Sequence, residues 1–437
     1  MQRSTLRNGA PRRAAMVAAG VATLALALTA CGSDSDDSAE GGSGDSGGKV
    51  TLTISTFNEF GYDDGLLDEY MKQNPNITVK HTKADTSQAA GDALRNALGA
   101  GSGGSDVAAI EGDQMPEFLQ YADKFEDISD PSLDGRWQDW KTAQATDAKG
   151  RLIGYGTDIG PEGICYRSDL LKEAGLPTDR ESVAKWMGST WDDYFKAGEE
   201  YTKKTGKPFY DSAGTIRLGM ENQMQNAFEK DDGTIIATEN PEVKDMYDQL
   251  LAESAKGLSA GLSQWTQDWN ESFKTGGFAT TLCPGWMLGV VQGNAPDVKT
   301  WDITNSFPGG GGNWGGSFLT VPSYGKHVKE AKALANWLTA PEQQIEAFKS
   351  KGTFPSQIEA LKDPAITEAT NPYFNDAPIG QILTDRANAV TVKPFKGPHY
   401  QAINDFLADA LGRVDIDKVD DADTSWNKFV TDVNGLK

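Results

Sequence analysis

Two tryptophans follow turn-forming stretches, where an indole ring can be left open for binding. Trp286 ends an apolar, β-branched run that starts at Phe278 and is interrupted at Pro284. Trp314 comes shortly after four consecutive glycines at 309–312. Glycine beside a tryptophan lets the backbone approach closely and leaves the indole unobstructed. An open indole stacks on the apolar C–H face of a sugar ring, so the pair predicts carbohydrate binding; a place in the core is the alternative.

Polar side chains follow predicted strands early in the chain. Alternating apolar residues predict a strand at 49–56, a helix at 66–73 and a strand at 77–81, the beginning of an α/β domain. A later apolar run predicts a strand that ends at Ile110. Open α/β sheets bind ligands at the carboxyl ends of their strands. Candidates there are Asn58 and Glu59 after the first strand, and Glu111, Asp113 and Gln114 after the later one.

Composition argues against several other functions. The formal net charge is -22, and no basic patch is evident, so nucleic acid is not an expected partner. Three histidines, His81, His327 and His399, are scattered without metal-ligand spacing, and neither a metal nor a cofactor is predicted. The glycine run at 309–316 lacks the Gly-Lys-Ser/Thr of a phosphate-binding loop.

The first 48 residues are interpreted as export and anchoring sequence. A basic start is followed by an apolar run, Ala14 to Ala27, that is too short to span a membrane. The sequence Leu28-Thr29-Ala30-Cys31 resembles the lipobox of bacterial lipoproteins, which implies removal of residues 1–30 and lipidation of Cys31. Residues 31–48 are rich in Gly, Ser, Asp and Glu and predict a flexible tether. Arg12-Arg13 leaves the choice between Sec and twin-arginine export open.

Two cysteines remain in the folded part. Cys165 and Cys283 belong to a chain that is predicted to be exported, where disulfides persist. They could pair, or both could be buried thiols, and the sequence favours neither.

The order of several motifs resembles the extracellular solute-binding proteins of ABC importers, and among them the maltodextrin-type carbohydrate receptors. The segment from Tyr166 to Pro177 reads Tyr-Arg-Ser-Asp-Leu-Leu-Lys-Glu-Ala-Gly-Leu-Pro, and Trp191-Asp192-Asp193-Tyr194 begins the next helix. The strand leading to Trp286 resembles the one that carries a ligand-stacking tryptophan in that family. Further matches are 74–77, 101–107, 152–158, 331–344 and 352–356.

This resemblance implies an α/β, two-lobed periplasmic-binding-protein-like fold, with hinge strands and a ligand cleft between the lobes. Lobe 1 is expected at 49–157 plus 317–375, and lobe 2 at 158–316 plus 376–437. The implied function is an importer's substrate-binding receptor, without catalytic residues, for a di- or oligosaccharide; cellobiose or a cello-oligosaccharide is the first guess. The expected protein is a monomer, lipid-anchored on the extracellular face of the membrane, that presents its ligand to permease subunits.

The resemblance also implies a set of ligand-binding residues drawn from both lobes. Trp265 and Trp269 are not among them, because their i, i+4 spacing predicts one helix face packed in the core. The implied set is Asn58, Glu59, Glu111, Asp113, Asp158, Glu221, Gln223, Trp286, Trp314, His399 and Tyr400, with Asn222 beside them.

Two alternatives remain at this point. An anchored glycoside hydrolase could use a pair of carboxylates from Glu111, Asp113 and Glu221, although no signature sets their separation. A receptor of the same fold could instead take an amino acid, a polyamine or a metal. An arginine beside a carboxylate partner would mark an amino-acid site and a His/Cys cluster a metal site, and the sequence shows neither clearly.

Replacement of Cys31 tests the predicted anchor. The variant Cys31→Ser removes the sulfur that would carry the lipid, so we expect a protein that is shed or left unprocessed. Palmitate labelling and membrane fractionation measure this directly. If C31S stays on the membrane and labels like the wild type, the lipobox interpretation is wrong.

Overall fold

Eight strands form two separate β-sheets in the described part of the chain. The computed structural model describes residues 48–63 and 65–437, so Cys31 and the predictions of export and lipidation lie outside the described residues. The strands are β1 (Val50–Phe57), β2 (Ile77–Ala84), β3 (Val107–Glu111), β4 (Gly154–Gly156), β5 (Glu162–Arg167), β6 (Thr280–Pro284), β7 (Trp301–Thr304) and β8 (Ser317–Thr320).

Helices surround both sheets. They are α1 (Leu66–Gln73), α2 (Ser87–Ala100), α3 (Met115–Leu119), α4 (Asp139–Gln144), α5 (Ser168–Glu173), α6 (Arg180–Met187), α7 (Trp191–Thr205), α8 (Ala213–Glu221), α9 (Pro241–Ala255), α10 (Gln267–Thr275), α11 (Met287–Asn294), α12 (Val328–Leu338), α13 (Pro341–Lys351), α14 (Pro364–Thr367), α15 (Ile379–Asn388), α16 (Tyr400–Asp415) and α17 (Ala422–Asn434). Within the described residues, no helix is long and apolar enough to cross a membrane.

The chain passes from one sheet to the other and back. The first sheet has the order β2-β1-β3-β8-β4 and the second the order β6-β5-β7. Strand β8 pairs antiparallel with β3 on one side and β4 on the other. The chain therefore leaves the first sheet after β4, builds the second, and returns after β7. We call the part built on the five-stranded sheet the first lobe and the part built on the three-stranded sheet the second.

Alternation along the strands gives the first sheet two apolar faces. Val107 and Ala109 of β3 pack in one cluster, and Ala108 and Ile110 pack in the other. Successive side chains of a strand point to opposite faces, so four apolar residues in a row predict a strand covered on both sides. This covered sheet holds the carboxyl end of β3, with Glu111 and Asp113, in a fixed position.

The segment after α12 contacts both lobes. Ala347 of α13 packs in the core of the first lobe, whereas Phe348 of the same helix packs in that of the second. Phe354 and Phe374 also lie in the second core, although the resemblance assigned 317–375 to the first lobe. The lobe boundaries drawn from the sequence stay a prediction.

One local prediction is confirmed and another is wrong. Strand β6 ends at Pro284, as the Pro-Gly interruption predicts, and Trp286 follows it as the N-cap of α11. The prediction that Trp265 shares a helix face with Trp269 is wrong. Helix α10 begins at Gln267, and the side chain of Thr266 caps it, a role that threonine fills well.

A disulfide joins two strands of the second sheet. Cys165 of β5 and Cys283 of β6 are bonded, with their Cα atoms 5.4 Å apart, which decides between the two alternatives left by the sequence. The bond closes a sequence separation of 118 residues. Cross-linking a long loop restricts the unfolded chain and so stabilises the folded one.

Removal of this disulfide is expected to lower the free energy of unfolding. The double variant C165A/C283A should lose about 2–5 kcal/mol, the usual range for a native disulfide. Urea unfolding with and without reductant measures the loss. Reductant should lower the urea midpoint of the wild type to that of the variant and leave the midpoint of the variant unchanged. Equal midpoints for the two proteins without reductant would contradict the expectation.

Candidate functional site

Trp286 and Trp314 meet edge to face and form what we call the aromatic corner. Their ring centroids are 4.9 Å apart with an interplanar angle of 78°. The Trp286 Nε1–H donates to the carbonyl oxygen of Trp314 at 3.1 Å, which fixes the two indoles relative to each other. Trp314 is buried and Trp286 is only partly so. The inner indole therefore supports the outer one, which keeps part of its surface exposed.

Gly315 brings the aromatic corner next to a carboxylate. It has a φ of +79°, which glycine adopts freely. A Cβ at this position would lie 3.4 Å from Trp286 Nε1 and 3.6 Å from Glu111 Oε1. Trp286 Nε1 and Glu111 Oε1 thus approach the same point beside Gly315, where no side chain is present.

A polar cluster continues from Glu111 across to the second lobe. Lys396 Nζ donates to Asp113 Oδ1 and, at 3.1 Å, to Asn222 Oδ1. The backbone N–H of Asp113 donates to Glu111 Oε2 at 2.7 Å. Asp113 follows β3 of the first lobe, while Asn222 ends α8 of the second. We call these four residues the polar cluster.

A second ion pair borders the polar cluster. Arg217 and Glu221 lie one helical turn apart on α8, both buried, and form an ion pair. Tyr400 donates its hydroxyl to Glu221 Oε1 at 2.5 Å, and its ring lies 4.8 Å from Lys396 Nζ. Arg217 also donates to Asn404 of α16 at 2.9 Å. These contacts fix the end of α8 against α16 and so position Asn222.

The charges of the cluster shift one another's pKa values. Burial, and then the carboxylate of Asp113, raise the pKa of Glu111 to about 8, although Lys396 and Lys141 oppose the rise. Burial alone would lower the pKa of Lys396, but Asp113, Glu111 and Glu221 outweigh it and raise the pKa. Burial therefore favours the protonated form of Glu111, whereas Lys396 keeps its charge.

Two buried ionisable groups, Glu162 and Lys141, lie beside the cluster. Among the described residues, neither buried carboxyl oxygen of Glu162 has a hydrogen-bond partner, and burial raises the pKa of Glu162 well above the ordinary value. Lys141 is 1% exposed, and its Nζ lies 3.8 Å from the centre of the Phe318 ring. Burial lowers the pKa of Lys141 to about 8 against the opposing charges of Asp158, Glu111 and Asp113.

Several predicted site residues are occupied by contacts elsewhere. Glu59 is exposed and pairs with Lys83 at 2.7 Å, and Asn58 precedes it with a positive φ. His399 Nδ1 lies 2.9 Å from Glu229 Oε1. Asp158 Oδ1 accepts from the backbone N–H of Ser317 at 2.9 Å and ties the two chain crossings together.

Gln223 supports the glycine run. Its Nε2 donates to the carbonyl oxygens of Pro308 at 2.7 Å and Gly311 at 3.2 Å, and its Oε1 accepts from Trp191 Nε1 at 2.9 Å. Its amide nitrogen therefore holds the loop that leads to Trp314, while its amide oxygen links this loop to α7.

The structure thus brings together Glu111, Asp113, Glu221, Tyr400, Trp286 and Trp314 from the predicted set. It adds Lys396, Arg217, Glu162 and Lys141, which sequence reasoning missed. Two of these carried a signal: Arg217 stands four residues before Glu221 on a helix, and Glu162 interrupts an apolar strand. Lys396 and Lys141 carried none that separates them from surface lysines. Whether each residue contacts a ligand stays a prediction.

The described residues include no group of three or more His, Cys, Asp or Glu side chains that could hold a metal ion. Asp113 and Glu221 each have a cationic partner, at Lys396 and Arg217. An acid/base pair for glycoside hydrolysis needs one carboxyl that gives up a proton and a second that is free to attack or activate water. Here both candidates for the second role are held in ion pairs.

Two lobes with polar and aromatic side chains meeting between them define the solute-binding class of proteins. The chain belongs to the family of bacterial extracellular solute-binding proteins, whose sequence profile matches residues 65–374. The resemblance seen in the sequence and the two-lobed α/β fold are confirmed. Because this family and its curated relatives are binding proteins, the expectation that the chain is not an enzyme is also confirmed.

Curated relatives and solved structures agree with this assignment. An arabinooligosaccharide-binding protein of Bacillus subtilis (strain 168) is 28% identical over 342 residues, covering 73% of this chain and 74% of that protein. A lactose-binding protein of Rhizobium radiobacter is 26% identical over 356 residues, covering 78% and 74%. The crystal structure of an extracellular solute-binding protein of family 1 is 45% identical, with a TM-score of 0.79, and covers 88% of this chain and 99% of that one.

A more distant structure shows the same fold. It is an ABC transporter-associated binding protein from B. animalis subsp. lactis Bl-04 in complex with β-1,6-galactobiose. It is 19% identical, with a TM-score of 0.76, and covers 89% of this chain and 97% of that one.

The raised pKa of Glu111 predicts a pH dependence of stability. A carboxyl with a higher pKa in the folded than in the unfolded state binds more protons when folded, so its contribution falls as pH rises. That fall should extend from about 4.5, the ordinary value, to about 8. Glutamine carries no charge at any of these pH values. The free energy of unfolding of Glu111→Gln should therefore rise relative to that of the wild type as the pH increases across this range.

Urea unfolding of both proteins at a series of pH values measures the difference. Glu59→Gln is the matched control, because Glu59 is an exposed carboxylate after β1. If the free energies of unfolding of E111Q and the wild type change with pH in parallel, the pKa of Glu111 is not raised in the folded protein and the expectation is wrong.

Proposed function

We propose that this protein is the extracellular receptor of an ABC importer and that it captures a di- or oligosaccharide between its two lobes. The observation that carries the proposal is the meeting of the aromatic corner with the polar cluster at Gly315, where Trp286 Nε1 and Glu111 Oε1 approach one point. A sugar ring needs both an aromatic surface for its C–H face and polar partners for its hydroxyls.

The polar cluster supplies the hydroxyl partners in a form suited to a neutral ligand. Carboxyls and the Asn222 amide can each engage more than one hydroxyl, and bonds to charged groups are the stronger ones. The protonated Glu111 can donate as well as accept, which matches hydroxyls that do both. An anionic ligand would instead face carboxylates.

Closure of the lobes is the step that would convert binding into a signal. Asp113 belongs to the first lobe, while Asn222 and Trp286 belong to the second, so a ligand reaches all of them only when the lobes meet. A ligand stabilises the conformation that offers it more contacts. We propose that importer permease subunits recognise this closed form.

The choice of sugar belongs to the proposal as well. The curated relatives are named for arabinooligosaccharides and lactose, and cellobiose or a cello-oligosaccharide is the first guess from the resemblance. All are neutral sugars of two or more rings, which is the class that we propose. We further propose a monomer, anchored through Cys31 on the extracellular face of the membrane.

Trp286→Ala tests the proposal on the purified protein. Loss of a buried aromatic anchor should weaken sugar binding by about 2–4 kcal/mol, which is about 30- to 1,000-fold in Kd. Isothermal titration with cellobiose, lactose, β-1,6-galactobiose and arabinobiose measures the affinity. Chromatography of the recovered sugar should show it chemically unchanged.

Trp337→Ala is the matched control. Trp337 is also partly buried, and it packs on Tyr70 in the first lobe with a centroid distance of 5.2 Å. The W337A variant should have a lower melting temperature than the wild type and the same affinity for sugar. Turnover of a sugar would contradict the receptor proposal, and normal affinity of W286A with a lowered melting temperature would make Trp286 a core residue.

A further inference from the structure

Trp265 has a backbone conformation that bulky residues avoid. Its φ is 66°, in the left-handed region. The other described non-glycine residues with positive φ are Asn58, Asn375, Asp376 and Lys418. Asparagine and aspartate tolerate this region, but an aromatic residue there is a genuine outlier. Such outliers persist where the surroundings hold them and are concentrated at ligand-binding sites.

The ring of Trp265 rests on two other tryptophans. Its centroid lies 5.1 Å from that of Trp269 and 6.0 Å from that of Trp286, and its plane is inclined by only 27° to the Trp286 plane. Trp265 is nevertheless 38% exposed, which makes it one of the few large apolar side chains left in water among the described residues. One side of the ring is thus supported and much of the rest is open.

The three indoles contact one another in a series that we call the row, from the buried Trp314 through Trp286 to the exposed Trp265. Trp314 is 9% exposed, Trp286 is partly buried and Trp265 is 38% exposed. Successive centroid distances along the row are 4.9 and 6.0 Å. Consecutive rings of an oligosaccharide also follow one another along a line, and each has an apolar face. The row therefore offers a second stacking position beyond the one at Trp286.

A purely structural role explains this arrangement less well. Trp269 is fully buried, and its Nε1–H already donates to Asp211 at 2.8 Å. Covering its outer edge needs only an apolar side chain, for which a helix position with ordinary φ would suffice. The strained backbone instead serves to place a second indole nearly parallel to Trp286.

We propose that Trp265 is an outer aromatic subsite, on which a further ring of a neutral oligosaccharide stacks, so that Trp265 sets the preference for longer over shorter ligands. This inference rests on the proposed function, because it takes Trp286 as the inner stacking position. The occupant is a sugar ring of the same ligand, since the subsite is continuous with the aromatic corner.

Affinity as a function of ligand length tests the subsite. The probes are two matched series, from disaccharide to tetrasaccharide, of cello-oligosaccharides and of α-1,5-arabino-oligosaccharides, titrated calorimetrically into the purified protein. In the series that binds, we expect the wild type to gain about tenfold in affinity on lengthening. Trp265→Gly should abolish that gain and leave disaccharide affinity within about twofold.

Three variants keep the result interpretable. Glycine accepts positive φ, so W265G removes the ring without adding strain, and an unchanged melting temperature shows that the fold is intact. Trp265→Phe keeps an aromatic face and should retain most of the gain. Tyr121→Ala removes another exposed aromatic, 48% exposed after α3, and should leave every affinity unchanged.

The outcomes separate this inference from the proposed function. If W265G gains as much affinity as the wild type when the sugar is lengthened, the outer subsite alone is overturned. The same holds if the wild type binds sugar but gains no affinity with length. Absence of binding by the wild type to every sugar of both series and of the disaccharide panel overturns the receptor proposal and the subsite with it.

Discussion

The ion pair between Lys396 and Asp113 is the contact on which the geometry of the cleft depends. Asp113 follows a strand of the first lobe, while Lys396 precedes α16, whose Ile403 and Leu407 pack in the second. This ion pair is partly buried, so it adds little net stability, but removing one partner leaves the other charge without compensation in the cleft. The two lobes are therefore held against each other by a contact in which replacement of either Lys396 or Asp113 alone is unfavourable.

Around this pair, acidic side chains outnumber basic ones, and burial raises the pKa of two of the acids, Glu111 and Glu162. Within the part of the chain that the structure describes, the Glu162 carboxyl has no hydrogen-bond partner and the Glu111 carboxyl has only a backbone N–H. A buried polar group without a partner is costly, so both carboxyls gain from a ligand that brings hydroxyls. A hydroxyl can satisfy a carboxyl in either protonation state, because a hydroxyl both donates and accepts. The acids are Glu111, Asp113, Asp158, Glu162 and Glu221, and the bases are Lys141, Arg217 and Lys396.

Local patterns predicted strands β1, β2 and β3, helix α1 and the residues at strand ends, because those depend on neighbours in sequence. Glu111 and Asp113 could be named since they follow an apolar strand. Lys396 could not, because its partner Asp113 is 283 residues away and only tertiary packing brings them together. His399, chosen from the same segment, contacts Glu229 instead. Trp265 was misplaced because the i, i+4 spacing outweighed the capping preference of Thr266.

The position of β8 between β3 and β4 has a consequence for the order in which the protein can fold. The first sheet cannot close until residues 317–320 are available, after the whole second sheet has been made. Until then one side of β3 and of β4 lacks its partner strand, and unpaired strand edges invite pairing with other chains. Such long-range pairings form slowly. An exported chain of this topology therefore spends a period with an incomplete sheet, during which protection from aggregation matters more than the stability of the finished fold.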